Sequence, residues 1–244
     1  ADAANARSAG TALFTMATCP DAAYPATPKV YVVFLQTGTD LFRLATFDVS
    51  TETWDVADIQ STLGYSAGPP SPNPDDNSWF ISHRAVDNSI VMFVSSVLEG
   101  GAPGGRWRCQ YALCDLTGAA WDGAYTQVGT AGTEAQAYFS NSCLAGDGGL
   151  THFFYRKSSD FTPPTPPPFT VALMHVSLTS GGALSAPQTL YDEAVTIGFF
   201  RRTSNPINRI ESGSVALYLP FRFLDDSVTP NQYVVRLFKA LSVA

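Results

Sequence analysis

Five carboxylates, Asp40, Glu99, Asp160, Asp225 and Asp226, fall in segments that read as loops. Two carboxyl groups held about 5–10 Å apart across a glycosidic bond can cleave it, one as acid and the other as base or nucleophile. Aromatic rings and planar polar groups accompany them: Trp79, Trp107, Tyr65, Phe161 and Phe169, with Asn77, Arg106 and Asp160. Ring faces stack on the apolar faces of sugars while the sugar hydroxyls pair with Asp, Asn and Arg. A ligand surface is therefore expected to draw on Trp107, Arg106, Asp160, Phe161, Asp225, Asp226 and Trp79. No residue carries a catalytic signature by spacing alone.

Other chemistries find less support. His83, His152 and His175 have no ligand spacing between them and read as satisfied core or face residues. The stretches LDDS and PDDN offer oxygen atoms but not the spacing of a calcium loop. No glycine-rich loop leads from a strand into a helix, so no nucleotide, metal or other cofactor is expected. The four cysteines, Cys19, Cys109, Cys114 and Cys143, lack a Cys-x-x-Cys pair, and permit either one or two disulfides or buried free thiols. A net charge of −7, with 14 scattered Lys and Arg, supplies no basic face for nucleic acid. No apolar run approaches the ~18 residues of a membrane helix. The chain opens ADAANARSAG without a Met, as a chain with a removed leader or a trimmed piece would.

The elements that must position these residues are strands. Hydrophobic residues make up 45% of the 244 and charged residues 14%, enough for a large core. Helical periodicity is nearly absent, and short β-rich runs are broken by Gly, Pro, Asn and Asp. The runs recur. VYVVFL, SIVMFV, LTHFFY and SVALYL align on Phe34, Phe93, Phe154 and Tyr218, about sixty residues apart. An aromatic-containing run precedes each, marked by Phe14, Phe80, Phe139 and Phe200, and a third run follows. In the first three copies a fourth run comes after a turn. The unit is thus four strands, a to d, copied four times, with the last copy stopping after c.

At the c–d junction the first copy reads FDVSTETW and the second CDLTGAAW. An Asp there can accept hydrogen bonds from the N–H groups of the turn. The roles expected are turn fasteners at Asp48 and Asp115, and wedges between neighbouring units at Trp54 and Trp121. In the third copy Ser177 takes the Asp position and Ala183 the Trp position. This pattern resembles the kelch repeat in Phe47, Asp48, Thr51 and Trp54, and in Asp115 and Trp121, with Gly118 where the family has Thr. The kelch double glycine is missing. The pattern is also similar to the sialidase-type Asp box, although that box sets its Trp five residues after the Asp and includes a glycine. Arg84, Arg201 and Arg202 supply arginines for such a family's substrate carboxylate, but its N-terminal Arg-Ile-Pro does not occur. Both resemblances imply a β-propeller.

The expected fold is all-β and β-propeller-like: four repeats of four-stranded antiparallel blades, the last incomplete, with a curved β-sandwich as the alternative. Residues 1–9 form a flexible N-terminal segment. Residues 10–244 form one domain, with blades near 10–60, 77–129, 134–190 and 195–244. The c–d turns mark one end of the disc. The long b–c and d–a loops, among them the stiff segment around PPTPPP, mark the end for recognition. The function expected is a non-enzymatic recognition or structural module, extracellular or on a virion surface, that binds glycan or protein through the b–c loops. A partner chain could complete the fourth blade. The alternatives are a glycoside hydrolase of sialidase-like or arabinanase-like type, and a purely architectural subunit.

Overall fold

The computed structural model describes residues 14–20, 28–35, 41–55, 59–64, 79–99, 106–129, 142–145, 150–158, 169–195, 207–211, 214–225 and 232–241, with side chains over 29–34, 41–55, 59, 80–94, 109–129, 150–155 and 172–190. They form four antiparallel sheets in chain order. The first holds β1 (Phe14–Pro20), β2 (Pro28–Leu35) and β3 (Leu41–Asp48), with β4 (Thr53–Trp54) and β5 (Ile59–Gly64) both pairing with β3. The second holds β6 (Trp79–Arg84), β7 (Ser89–Glu99) and β8 (Arg106–Asp115), with β9 (Ala120–Trp121) and β10 (Thr126–Val128) both on β8. The third runs β11 (Ser142–Ala145), β12 (Thr151–Ser158), β13 (Phe169–Leu178), β14 (Gln188–Val195). The fourth has three strands among the described residues, β15 (Ile207–Glu211), β16 (Ser214–Asp225) and β17 (Gln232–Leu241). The opening strands β1, β6 and β11 lie side by side, and outer β5 lies against outer β9. Four antiparallel sheets in chain order, the first three inner strand to inner strand, make a β-propeller-like all-β fold and not a two-sheet sandwich.

Each sheet must bury both faces, which explains the unbroken apolar runs. In SIVMFV, Ile90, Met92 and Val94 enter a layer shared with Tyr31, Val33, Phe42 and Leu44 of the first sheet. Val91 and Phe93 point the other way, into a layer with Phe153, Tyr155, Met174, Val176 and Leu178 of the third. Phe93 and Phe153 meet at 4.8 Å between ring centres, and Tyr111 stacks on Phe153 at 5.2 Å. Each such fully buried side chain contributes roughly 1.5–3 kcal/mol. Cys109 and Cys114 are buried on opposite faces of β8, and Cys114 is a free thiol. Burial pushes the Cys114 thiol up to about 12, so it is unionised at neutral pH.

Strand register refines the repeat. Lys29 faces Asp48, and Ser89 faces Asp115. With Asp48 and Asp115 as equivalents, Val33 corresponds to Phe93, and both face the next sheet. Phe34 is one residue out of step, because ladder pairing rather than residue type fixes the register.

The third turn also shifts. The amides of Asp55, Asp122 and Ser185 donate to the carbonyls of Thr46, Leu113 and Ser177, so these three donors are equivalent. The Asp position in the third copy is therefore Thr179, not Ser177. Its Oγ1 accepts from the amide of Ala183 at 3.1 Å. The Trp position falls to Leu184, not Ala183. Leu184 bridges to Leu178 and packs on the layer between the second and third sheets.

The turns themselves follow from sequence. Asp48 accepts from the amides of Ser50 and Thr51, at 2.8 and 3.2 Å, and from the Ser50 hydroxyl at 2.5 Å. The Ser50 hydroxyl, ahead of the two amides, holds the Asp48 carboxyl below its ordinary value. Asp115 accepts from the amide of Thr117 at 2.8 Å. A Cβ at Gly118 would stand 2.7 Å from the second Asp115 oxygen, so a Thr there would require the Asp115 carboxylate to shift. Glu52, Ala119 and Gly182 occupy one equivalent position with φ of 54°, 51° and 83°. Only the third copy uses the residue that adopts this conformation without strain.

The two tryptophans differ. Trp121 packs on the layer between the first and second sheets, and its indole N–H donates to the carbonyl of Ile59 at 3.2 Å. Trp54 is 42% exposed and packs on Phe47 of its own sheet at 5.1 Å. The wedge expected of Trp54 is corrected accordingly. A wedge needs a sheet ahead of it, and none precedes the first among the described residues.

Candidate functional site

The backbone gathers several of the expected ligand residues at the b–c and d–a end. Trp79 opens β6, Arg106 and Trp107 open β8, Glu99 closes β7, and Asp225 closes β16. Trp79 faces Val94, while Glu99 faces Arg106 five residues further along β7. The β7–β8 hairpin thus runs beyond the inner strand by roughly 17 Å at 3.4 Å per residue. Its register shifts between Val97 and Glu99, just where Trp107 faces Val97. Such irregularities bend a strand and re-aim its side chains. Asp225 faces Gln232 at the corresponding end of the fourth sheet. Asp40, Asp160, Phe161 and Asp226 lie outside the described residues, as do Tyr65, Asn77, Arg201, Arg202 and the PPTPPP segment.

Two histidines come together that sequence spacing kept apart. His152 faces Ser177, and Phe154 faces His175, so the two imidazoles are diagonal neighbours on one face of β12 and β13. His152 Nδ1 and His175 Nε2 are 3.0 Å apart. The rings stack at 5.2 Å, with Phe154 against His175 at 5.1 Å. Burial, then the neighbouring His175, lowers His152 to about 4. Burial also lowers His175, against a hydrogen bond to the Gln188 side chain that raises it. Both rings are therefore neutral at pH 7, one donating to the other. The signal that could have found them is hairpin register: a two-residue offset across adjacent strands. By register, His152, Phe154 and His175 correspond to Val91, Phe93 and Tyr111. In the second sheet those residues pack against the sheet that follows. The histidine pair thus holds positions equivalent to inter-sheet residues of the second sheet, not positions at the loop end. Among the described residues no group of three or more His, Cys, Asp or Glu could hold a metal ion.

The acidic residues with described side chains cluster at the opposite end. Asp48, Asp87 and Asp115 fasten the a–b and c–d turns. Asp87 receives the Ser89 hydroxyl at 2.6 Å and pairs with Arg84 at 3.1 Å. The Asn88 side chain links this turn to Thr117 of the next. These carboxylates have structural partners and are remote from the long loops.

No protein-family model matches the chain, and no curated protein matches it. Solved structures do. An α-L-arabinanase of Penicillium chrysogenum, solved with arabinobiose, is similar over 94% of this chain and 62% of its own, at 12% identity and a TM-score of 0.58. The α-L-arabinofuranosidase Arb93A of Fusarium graminearum, solved with an iminosugar inhibitor, is similar over the same shares at 9% identity and a TM-score of 0.55. A polysaccharide lyase, Uly1, is similar over 88% of this chain and 50% of its own, at 10% identity and a TM-score of 0.50. The chain thus spans about 62% of the length of the first two structures. These likenesses fit the propeller-like fold and are not specific to kelch-type repeats. They also correct the expected function. The first two neighbours are an arabinanase and an arabinofuranosidase and the third is a polysaccharide lyase, none of them a non-enzymatic recognition module, so the non-enzymatic reading is not upheld.

Proposed function

We propose that the chain forms part of a glycoside hydrolase acting on an arabinose-containing glycan. The observation that carries this reading is the similarity to an α-L-arabinanase and an α-L-arabinofuranosidase along 94% of the chain. The strand order supports it, because it puts Glu99 and Asp225 at the ends of β7 and β16 on the loop side, with Trp79, Arg106 and Trp107. In this reading two loop-side carboxylates, from Asp40, Glu99, Asp160, Asp225 and Asp226, flank the bond. One protonates the leaving oxygen. The other attacks the anomeric carbon if the pair stands near 5 Å apart, or activates water if it stands at about 6.5–9.5 Å. Trp79, Trp107 and Phe161 stack on sugar faces, while Arg106, Asp160 and Asp226 pair with hydroxyls. The ligand is a glycan and the location extracellular.

The test is reducing-sugar release from linear and branched arabinan by the purified chain. Glu99→Gln or Asp225→Asn should reduce release by 10²-fold or more if that group is the acid or base. Hydrolysis of neither polymer, with the chain folded, overturns the reading.

A further inference from the structure

Two buried side chains carry polar atoms without a partner in the layer between the second and third sheets. Arg84 is 2% exposed. Its Nη2 pairs with Asp87, but its Nε and Nη1 have no hydrogen-bond partner. Thr151 is fully buried, and its Oγ1 likewise has none.

Register sets the two at adjoining levels of the same layer. Phe80 packs into this layer, and alternation along β6 puts Arg84 on the same face. Thr151 alternates with Phe153 and Tyr155, which enter the layer from the third sheet. Arg84 faces Ser89, which faces Asp115. Thr151 faces Leu178, the residue before Thr179, which is the equivalent of Asp115. The two levels therefore differ by one residue, about 3.4 Å along the strands. The contact between Phe93 and Phe153 is offset by the same single residue, since Phe154 is the equivalent of Phe93.

All three unpaired atoms can donate: two guanidinium N–H groups and one hydroxyl. An apolar layer would leave such donors uncompensated at a high cost. Two N–H donors of one cation beside a hydroxyl that can donate as well as accept suit an acceptor carrying negative charge. We propose that Arg84 and Thr151 form a buried binding site for a small anion, of chloride or formate size, beneath the 85–88 turn. Asp87 is the gatepost, at the solvent edge with a side chain 37% exposed and engaged by Nη2. Its negative charge limits the site to one small anion. This site is independent of the loop-end chemistry.

The test is thermal unfolding of the purified chain at constant ionic strength, with sodium methanesulfonate replaced stepwise by chloride or formate. The midpoint should rise saturably with at least one of them. Thr151→Val should need about tenfold more anion for the same rise, the factor for one lost hydrogen bond, and Arg84→Gln should abolish the response. If Arg84→Gln does not fold, the near-isosteric Thr151→Val still decides. A wild-type midpoint indifferent to both anions overturns the proposal, as does an equal response from Thr151→Val.

Discussion

Trp121 of the second sheet donates its indole N–H to the carbonyl of Ile59 in the first, across 3.2 Å. One side chain thus closes a seam between two sheets that share no ladder hydrogen bonds. The equivalent Trp54, at 42% exposure, has no such seam to close.

Trp121→Ala should therefore cost about 3–5 kcal/mol, and Trp121→Phe about 1 kcal/mol for the hydrogen bond alone. Trp54→Ala should cost less than about 1 kcal/mol, as a partly exposed site does. Urea unfolding curves rank the three. Equal losses at Trp54 and Trp121 would contradict the asymmetry.

The left-handed position in the turns gives a second prediction. Ala119→Gly and Glu52→Gly should each stabilise by up to about 1 kcal/mol, because glycine adopts positive φ without strain. Gly182→Ala should destabilise by a similar amount. Differential scanning calorimetry on the three variants measures all the signs.

Thr179 serves the third turn as Asp48 and Asp115 serve the others, through its hydroxyl. Thr179→Val should lose about 1 kcal/mol, and Thr179→Ser should keep most of the stability. Ser177→Ala, at the position where sequence alone put the fastener, should leave that turn's hydroxyl contact intact. Thermal melts of the three variants distinguish the two assignments.

Acid should weaken the fold through the histidine pair. Both folded-state values lie below the ordinary 6.5, so the unfolded chain binds protons more readily. This contribution is fully present above pH 6.5 and is lost as pH falls from there toward about 4, the folded value of His152. The loss is on the order of 3 kcal/mol for His152. The double replacement His152→Val with His175→Tyr, copying the second sheet's Val91 and Tyr111, should flatten urea-derived stability between pH 7 and pH 4. An unchanged slope would rule the pair out as its source.

Strand content and repeat length were legible because each sheet is built from local alternation and punctuated by Gly, Pro and Asp. What escaped was set by partners far along the chain. Aligning aromatics put Phe34 beside Phe93, but the ladder from Lys29 to Asp48 gives that place to Val33. The serines and glycines after Leu178 offer no unique anchor, so the Asp position of the third turn shifts by two residues and the Trp position by one. Trp54 and Trp121 look alike in sequence and differ only in what lies ahead of each. His152 and His175 are 23 residues apart and meet only through hairpin register. The loop-side carboxylates were legible as types, but their pairing depends on segments outside the described residues.

The second sheet is gripped from both sides, Ile90 and Met92 by the first and Val91 and Phe93 by the third. In a stack where each sheet touches only its neighbours, the member with two complete layers opens last. Deuterium should therefore enter the amides of 90–94 more slowly than those of β1 or β2, and at a rate that tracks global unfolding. The order of amide labelling becomes a map of how many neighbours each sheet has.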